Sequence, residues 1–255
     1  YTPLIANDFS SKSSNEKKQT TFLLISRMLW DKGVGQYVEA ARLLTSSYSN
    51  VEFCMLGFLD FQNPEAISEK QLDEWISEGV INYLGVIDDI RPEIVKADCV
   101  VLPVLFREGT PRSLLEAAAM GRPIVTTNSI GCRETVDDGI NGYLCIPGDS
   151  IDLSEKMERI LELDEAQRVD MGKCGREKME LQFDEKIVIQ KYLAAIKERD
   201  IANRTGGKKE DIKDSEIIKV LRKMKKQRQD SAQLYKKGER QELLEAEESE
   251  IKIID

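Results

Sequence analysis

Between residues 20 and 197, short continuous apolar runs alternate with longer stretches in which apolar residues recur at helical spacing. Strands are expected at 21–26, 51–57, 81–84, 99–104, 124–127 and 143–146, and helices at 33–44, 64–79, 88–96, 111–120, 150–162 and 164–196. In the first helix Val34, Tyr37, Val38, Ala41 and Leu44 share one face. The Asp88-Asp89 pair is expected to cap the third. Strands separated by helices must join through right-handed crossovers, which gives a parallel sheet. The runs are mainly apolar and do not alternate, as burial on both faces requires. The fold class is therefore α/β, a doubly wound, Rossmann-like parallel sheet. Ligands of such sheets bind at the carboxyl ends of the strands, which directs attention to the loops after Ser26, Gly57, Leu84 and Val104.

Charge narrows what can bind there. The net charge is −9, with 37 Lys/Arg against 46 Asp/Glu. Residues 205–255 hold 13 against 12, leaving 24 against 34 in residues 1–204, so the first part is near −10 and the last near +1. An acidic domain has no broad basic face for nucleic acid, and any phosphate must meet a local cluster of donors. The five cysteines are odd in number and form no Cys-x-x-Cys pair, which reads as free thiols in a reducing compartment. No apolar stretch nears the roughly 18–20 residues of a membrane span. With no signal peptide either, a cytoplasmic location is expected. The first residue is Tyr1 and not a methionine, as in a fragment or a processed chain.

The chemistry-bearing residues lie in the strand-end loops. Arg27 ends the first strand and Lys32-Gly33 opens the first helix, so two cations can face one crevice and neutralise a diphosphate leaving group. Residues 106–116 read Phe-Arg-Glu-Gly-Thr-Pro-Arg-Ser-Leu-Leu-Glu. Pro111 is expected at the first helical position, and the amides near Arg112 to Leu114 then form an anion site. Gly109 allows close backbone approach to a ligand. Glu116, deeper in the helix, suits a pair of vicinal ribose hydroxyls, and Glu108 faces the sugar. Read singly, Arg27 and Lys32 are equally a solvated loop, Glu116 a solvated helix carboxylate, and Glu108 a cap or surface charge.

Taken together, Glu108-x7-Glu116 within REGTPRSLLEA, Ala119-Met-Gly-Arg-Pro-Ile-Val125, Gly139-Ile-Asn-Gly-Tyr-Leu144 and the SRMLWDKG loop at 26–33 resemble the retaining family 4 glycosyltransferases. The likeness covers residues 20 to about 197, the C-terminal, donor-binding domain of the two-domain GT-B architecture, and is nearest to bacterial enzymes of surface-polysaccharide synthesis. It implies that Arg27, Lys32 and the amides of Ser113 and Leu114 bind the nucleotide diphosphate. It also implies that Glu116 holds the ribose, that Glu108, Gly109 and Thr110 contact the sugar, and that Leu84 and Val86 border the base. Gly57 in MLGF corresponds to a glycine-containing loop near the donor, and Gly131–Glu134 is similar to the family's Gly-x-x-E element, a structural feature. The implied reaction is front-face displacement with retention, from a UDP-hexose or UDP-N-acetylhexosamine. No metal or other cofactor is called for. The implied acceptor is a glycan or lipid-linked sugar, and a peripheral place at the inner membrane is expected for the full enzyme.

The resemblance also carries an expectation of incompleteness. The family places acceptor recognition on an N-terminal domain, whereas residues 1–19 read as a linker and the chain has no histidine. Donor binding with little transfer is the expected behaviour. Beyond the donor domain (20–200) and a Gly/Lys linker (201–213), residues 214–255 read as a helical hairpin turning at Gly238, with a short stripe of Ile217, Leu221 and Met224. Residues 205–255 are similar to part of the YqeY-like helical domain, related to the tail of GatB, which implies contact with tRNA. Two other readings stay open: a non-catalytic nucleotide-sugar binder, and a tRNA-associated module carrying a remnant transferase. The junction reads as a gene fusion, a misassembled frame or an engineered join.

Overall fold

A computed structural model describes residues 19–183, 214–237 and 251. Six parallel strands stand in the order β3-β2-β1-β4-β5-β6: β1 (Thr20–Ile25), β2 (Val51–Leu56), β3 (Asn82–Tyr83), β4 (Cys99–Leu102), β5 (Ile124–Thr127) and β6 (Gly142–Cys145). The helices are α1 (Val34–Ser47), α2 (Glu69–Ser77), α3 (Arg91–Lys96), α4 (Arg112–Ala119), α5 (Ser150–Glu162), α6 (Glu165–Gln182) and, in a separate compact unit, α7 (Asp214–Lys237).

Side chains on a strand alternate between faces, and both faces of β1 are buried. Phe22 and Leu24 pack with Val38 and Ala41 of α1, Trp75 of α2 and Met157 of α5. Leu23 and Ile25 pack with Ile94 of α3 and with Cys54 and Leu56 of β2. A buried hydroxyl pins this core, because Tyr37 donates to the carbonyls of Phe22 (3.0 Å) and Cys54 (3.1 Å). The doubly wound parallel sheet is thus as the sequence reads. Strand order reverses between β1 and β4, which pair in register Phe22↔Cys99 and Leu23↔Val100. At such a reversal the two following loops diverge to opposite sides and open a crevice.

Three local expectations need correction. The second helix begins at Glu69, not 64, capped by Ser68 Oγ. The preceding segment is drawn back to the loop after β1, where Met28 N–H donates to Phe58, Trp30 N–H to Glu65 and Ile67 N–H to Met28. The third helix begins at Arg91 without a side-chain cap, because Asp89 is engaged by the Arg91 amide and guanidinium. Pro111 is the N-cap of α4 and not its first helical residue, since its ψ of 128° is extended. The expected turn at Gly238, most of the second tail helix, both linkers apart from Gln19 and the 184–196 end of the sixth helix lie outside the described residues.

Candidate functional site at the carboxyl ends of β1 and β4

Lys32 reaches the site through a short 3-10 turn, Trp30–Lys32, that follows β1. The turn stops at Gly33, whose φ of 75° is left-handed and whose Cα lies so close to Pro103 that a Cβ would meet its carbonyl oxygen at 1.9 Å. Close approach of two backbones therefore sets where α1 begins, and only glycine permits it. A second tie joins the same loops, since Leu105 N–H donates to the Asp31 carbonyl at 2.9 Å.

Across the crevice so formed, Lys32 Nζ donates to Glu108 Oε2. Both side chains are largely buried, 7% and 13% exposed. The expected diphosphate cation and sugar carboxylate are therefore brought into direct contact, one from the loop after β1 and the other from the loop after β4. Arg27 is held by a residue that sequence reading missed: its Nη1 donates to Asp60 at 3.1 Å, from the loop after β2. Arg27 Nε is buried with no hydrogen-bond partner among the described residues. A buried orphan donor is costly, and an anion is one group that would satisfy it. The only sequence signal for Asp60 is its place at the carboxyl end of the neighbouring strand.

The remaining expected residues surround this pair. Gly57 sits under the end of β1, where a Cβ would meet the Ser26 carbonyl at 1.7 Å. Its N–H donates to Gly85 O (2.9 Å) and its carbonyl accepts from Tyr83 Oη (2.6 Å), so Gly57 and the 84–86 loop form one unit. Within that loop Leu84 is half-buried and Val86 is exposed. On α4 the Leu114 side chain is fully buried and its amide donates to Pro111 O at 3.2 Å. Of the two expected amide donors, only that of Ser113 precedes this first intrahelical bond. Glu116 accepts from Arg112 Nε at 2.9 Å. Its charge also reaches Arg91, whose guanidinium is raised by Asp89 foremost and by Glu116 to a lesser degree.

A wall behind Glu108 comes from the loop after β5. Glu108 N–H donates to Ile130 O at 3.2 Å, and a Cβ on Gly131 would meet Glu108 O at 2.1 Å. Cys132 is fully buried there, its thiol pushed up to about 11 by burial first and then by the Glu108 carboxylate. Such a thiol stays protonated near neutrality and is inert. Gly109 and Thr110, half-buried and exposed respectively, lie between this wall and α4.

The chain is similar to known proteins both over the sheet and over the tail. The family described as Glycosyl transferases group 1 matches residues 19–163, and that described as Yqey-like protein matches residues 170–255. The second match begins inside α6, upstream of residue 205 where the sequence reading placed the likeness. The chain is 36% identical over 182 residues to the N,N'-diacetylbacillosaminyl-diphospho-undecaprenol alpha-1,3-N-acetylgalactosaminyltransferase of Campylobacter jejuni, covering 71% of this chain and 46% of that protein. It is 29% identical over 184 residues to an amylovoran biosynthesis glycosyltransferase of Erwinia amylovora, covering 69% and 44%. The fold resembles that of Anabaena HepE solved in complex with UDP, with a TM-score of 0.63 at 22% identity, covering 71% of this chain and 49% of that one. The chain thus spans about half the length of the curated relatives it matches.

Proposed function

The chain belongs to the Glycosyl transferases group 1 family, and on that basis we propose that residues 20–200 form the nucleotide-sugar donor half of a retaining glycosyltransferase. The observation that carries the reading is the Lys32–Glu108 pair, which joins the loops after β1 and β4 where the strand order reverses. That crevice is where doubly wound sheets take nucleotides.

In this reading Arg27, Lys32 and the Ser113 amide at the start of α4 neutralise the diphosphate as it departs, where negative charge builds up. Glu116 accepts from the two ribose hydroxyls, exchanging Arg112 for them or sharing it. Leu84 and Val86 border the base. Glu108, steered by Lys32, and the backbone of Gly109 and Thr110 contact the sugar. The fixed cations supply the charge that a divalent metal supplies elsewhere, so no metal is required. Displacement on the face of the departing diphosphate gives retention.

The donor is a UDP-hexose or UDP-N-acetylhexosamine, and the product a glycan or lipid-linked sugar. Two kinds of relative support this: an N-acetylgalactosaminyltransferase acting on a diphospho-undecaprenol and a structural neighbour that binds UDP. Among the described residues no helix is long and apolar enough to cross a membrane, and a lipid-linked acceptor would be met peripherally. Because the matched relatives are about twice as long, transfer depends on acceptor-side groups corresponding to their unmatched part. This chain alone binds donor and transfers little. Calorimetric titration with UDP, GDP, ADP and UDP-linked sugars tests the proposal. UDP is expected to bind and GDP and ADP to bind about tenfold more weakly; equal binding of all three, or of none, overturns it.

A second role, contact with tRNA through the tail, rests on the Yqey-like match and on the basic composition of α7, which holds eight Lys/Arg against three Asp/Glu. A gel shift of tRNA by the full chain, abolished by reversing the charge of exposed Arg222 and Lys226, is the expected result.

A further inference from the structure

Resting on the donor-binding reading above, we propose that Glu134 is a positioning residue that sets Glu108 through Gly131 and so tunes the sugar end of the donor site. Glu134 lies in the 3-10 turn Arg133–Thr135, after β5, and offers no group to phosphate, ribose or base as those are assigned. Its Oε2 accepts the Gly131 N–H at 2.6 Å. Gly131 in turn is packed on the 108–109 backbone, with φ 97° and with the Glu108 and Gly109 carbonyl oxygens at 2.1 and 2.8 Å from where a Cβ would stand. The neighbouring carbonyl, that of Ile130, accepts from the Glu108 amide at 3.2 Å.

The physical consequence is a lever. The Gly131 amide is partly buried against a carbonyl-rich surface, and without an acceptor it must turn toward water. Turning residue 131 carries the Ile130 carbonyl with it, and the Glu108 amide loses its partner. The Glu108 carboxylate, still paired with Lys32, then shifts with its backbone. Charge on Glu134 is secondary, because the contact needs only a carbonyl-type oxygen. Glutamine therefore replaces glutamate at this position and alanine does not.

Hydrogen exchange of the ligand-free chain reads the brace directly. In Glu134→Ala the Glu108 amide is expected to exchange about tenfold faster, while Glu134→Gln exchanges like the parent. Titrations then read its consequence. Affinity for UDP stays within about twofold, and affinity for UDP-glucose or UDP-N-acetylglucosamine falls about fivefold in Glu134→Ala only. Unchanged exchange in Glu134→Ala, or equally fast exchange in Glu134→Gln, overturns the brace. Equal weakening of UDP and of both UDP-sugars overturns the assignment to the sugar end. If the parent chain bound no uridine nucleotide, the donor-binding reading would fall, and the exchange experiment would still decide the brace.

Discussion

Lys32 and Glu108 are 76 residues apart in sequence, yet they form a largely buried ion pair across the reversal of strand order. Removing one partner of such a pair leaves a charge stranded in a low-dielectric site. Lys32→Ala should lose about 3 kcal/mol of stability in urea denaturation, and Lys32→Ala combined with Glu108→Ala should recover much of it while leaving UDP binding impaired. Additive losses in the double variant would show that the two side chains are not energetically coupled.

Three glycines separate strain from crowding. Gly79 has a φ of 72° and nothing within 4 Å of a would-be Cβ, so Gly79→Ala should cost about 1 kcal/mol from backbone strain alone. Gly33→Ala and Gly57→Ala would place a carbon at 1.9 and 1.7 Å from the Pro103 and Ser26 carbonyls. Each should cost about 4 kcal/mol, because the loops that carry Lys32 and Arg27 must move apart. Thermal unfolding of the three variants in parallel gives the comparison.

Glu116 is assigned to the ribose, which makes it a discriminator of sugar hydroxyls and not of phosphate. The parent chain should bind UDP about tenfold more tightly than 2'-deoxy-UDP, and Glu116→Ala should bind the two alike. The pair that Glu116 makes with a mostly exposed Arg112 within its own helix should contribute no more than about 0.5 kcal/mol to stability. Preserved discrimination in the variant would move the ribose elsewhere.

Buried thiols give the chain an alkaline limit. Burial, foremost, pushes Cys54 and Cys145 up to about 12 and Cys132 to about 11, with Glu52, Asp152 and Glu108 adding to the effect, and Cys99 is raised further still. The unfolded chain ionises first, near 9, so stability is complete below pH 9 and is lost between pH 9 and about 12. Each thiol contributes up to about 1.4 kcal/mol per pH unit in that window. At pH 8 a thiol reagent should label Cys174, the one partly exposed cysteine, and reach all five only after denaturation.

How much of this was legible in the sequence follows from the range of the forces involved. The strand at 124–127 and the helix at 150–162 were placed to the residue; the first, Ile-Val-Thr-Thr, is buried at every position, and the second opens on Asp149, whose carboxylate accepts from Ile151 and Asp152. Local chemistry decides such elements. The start of α2 was misplaced because residues 58–67 bond to the distant turn at 28–30, a contact with no local signature. The candidate site behaves in the same way. Glu108, Glu116, Arg27 and Lys32 were named from motif spacing, but their partners Asp60 and Gly131–Glu134 come from loops that only the sheet order brings together. The contact between Lys32 and Glu108 themselves was equally out of reach, since nothing within either motif encodes it.

A crystal structure of this chain with UDP decides whether these groups converge on one diphosphate. The diphosphate is expected within hydrogen-bond distance of the Arg27 guanidinium, the Lys32 ammonium and the Ser113 amide, with the ribose hydroxyls on Glu116. A nucleotide bound elsewhere, or a diphosphate that meets Arg27 or Lys32 but not both, would contradict it.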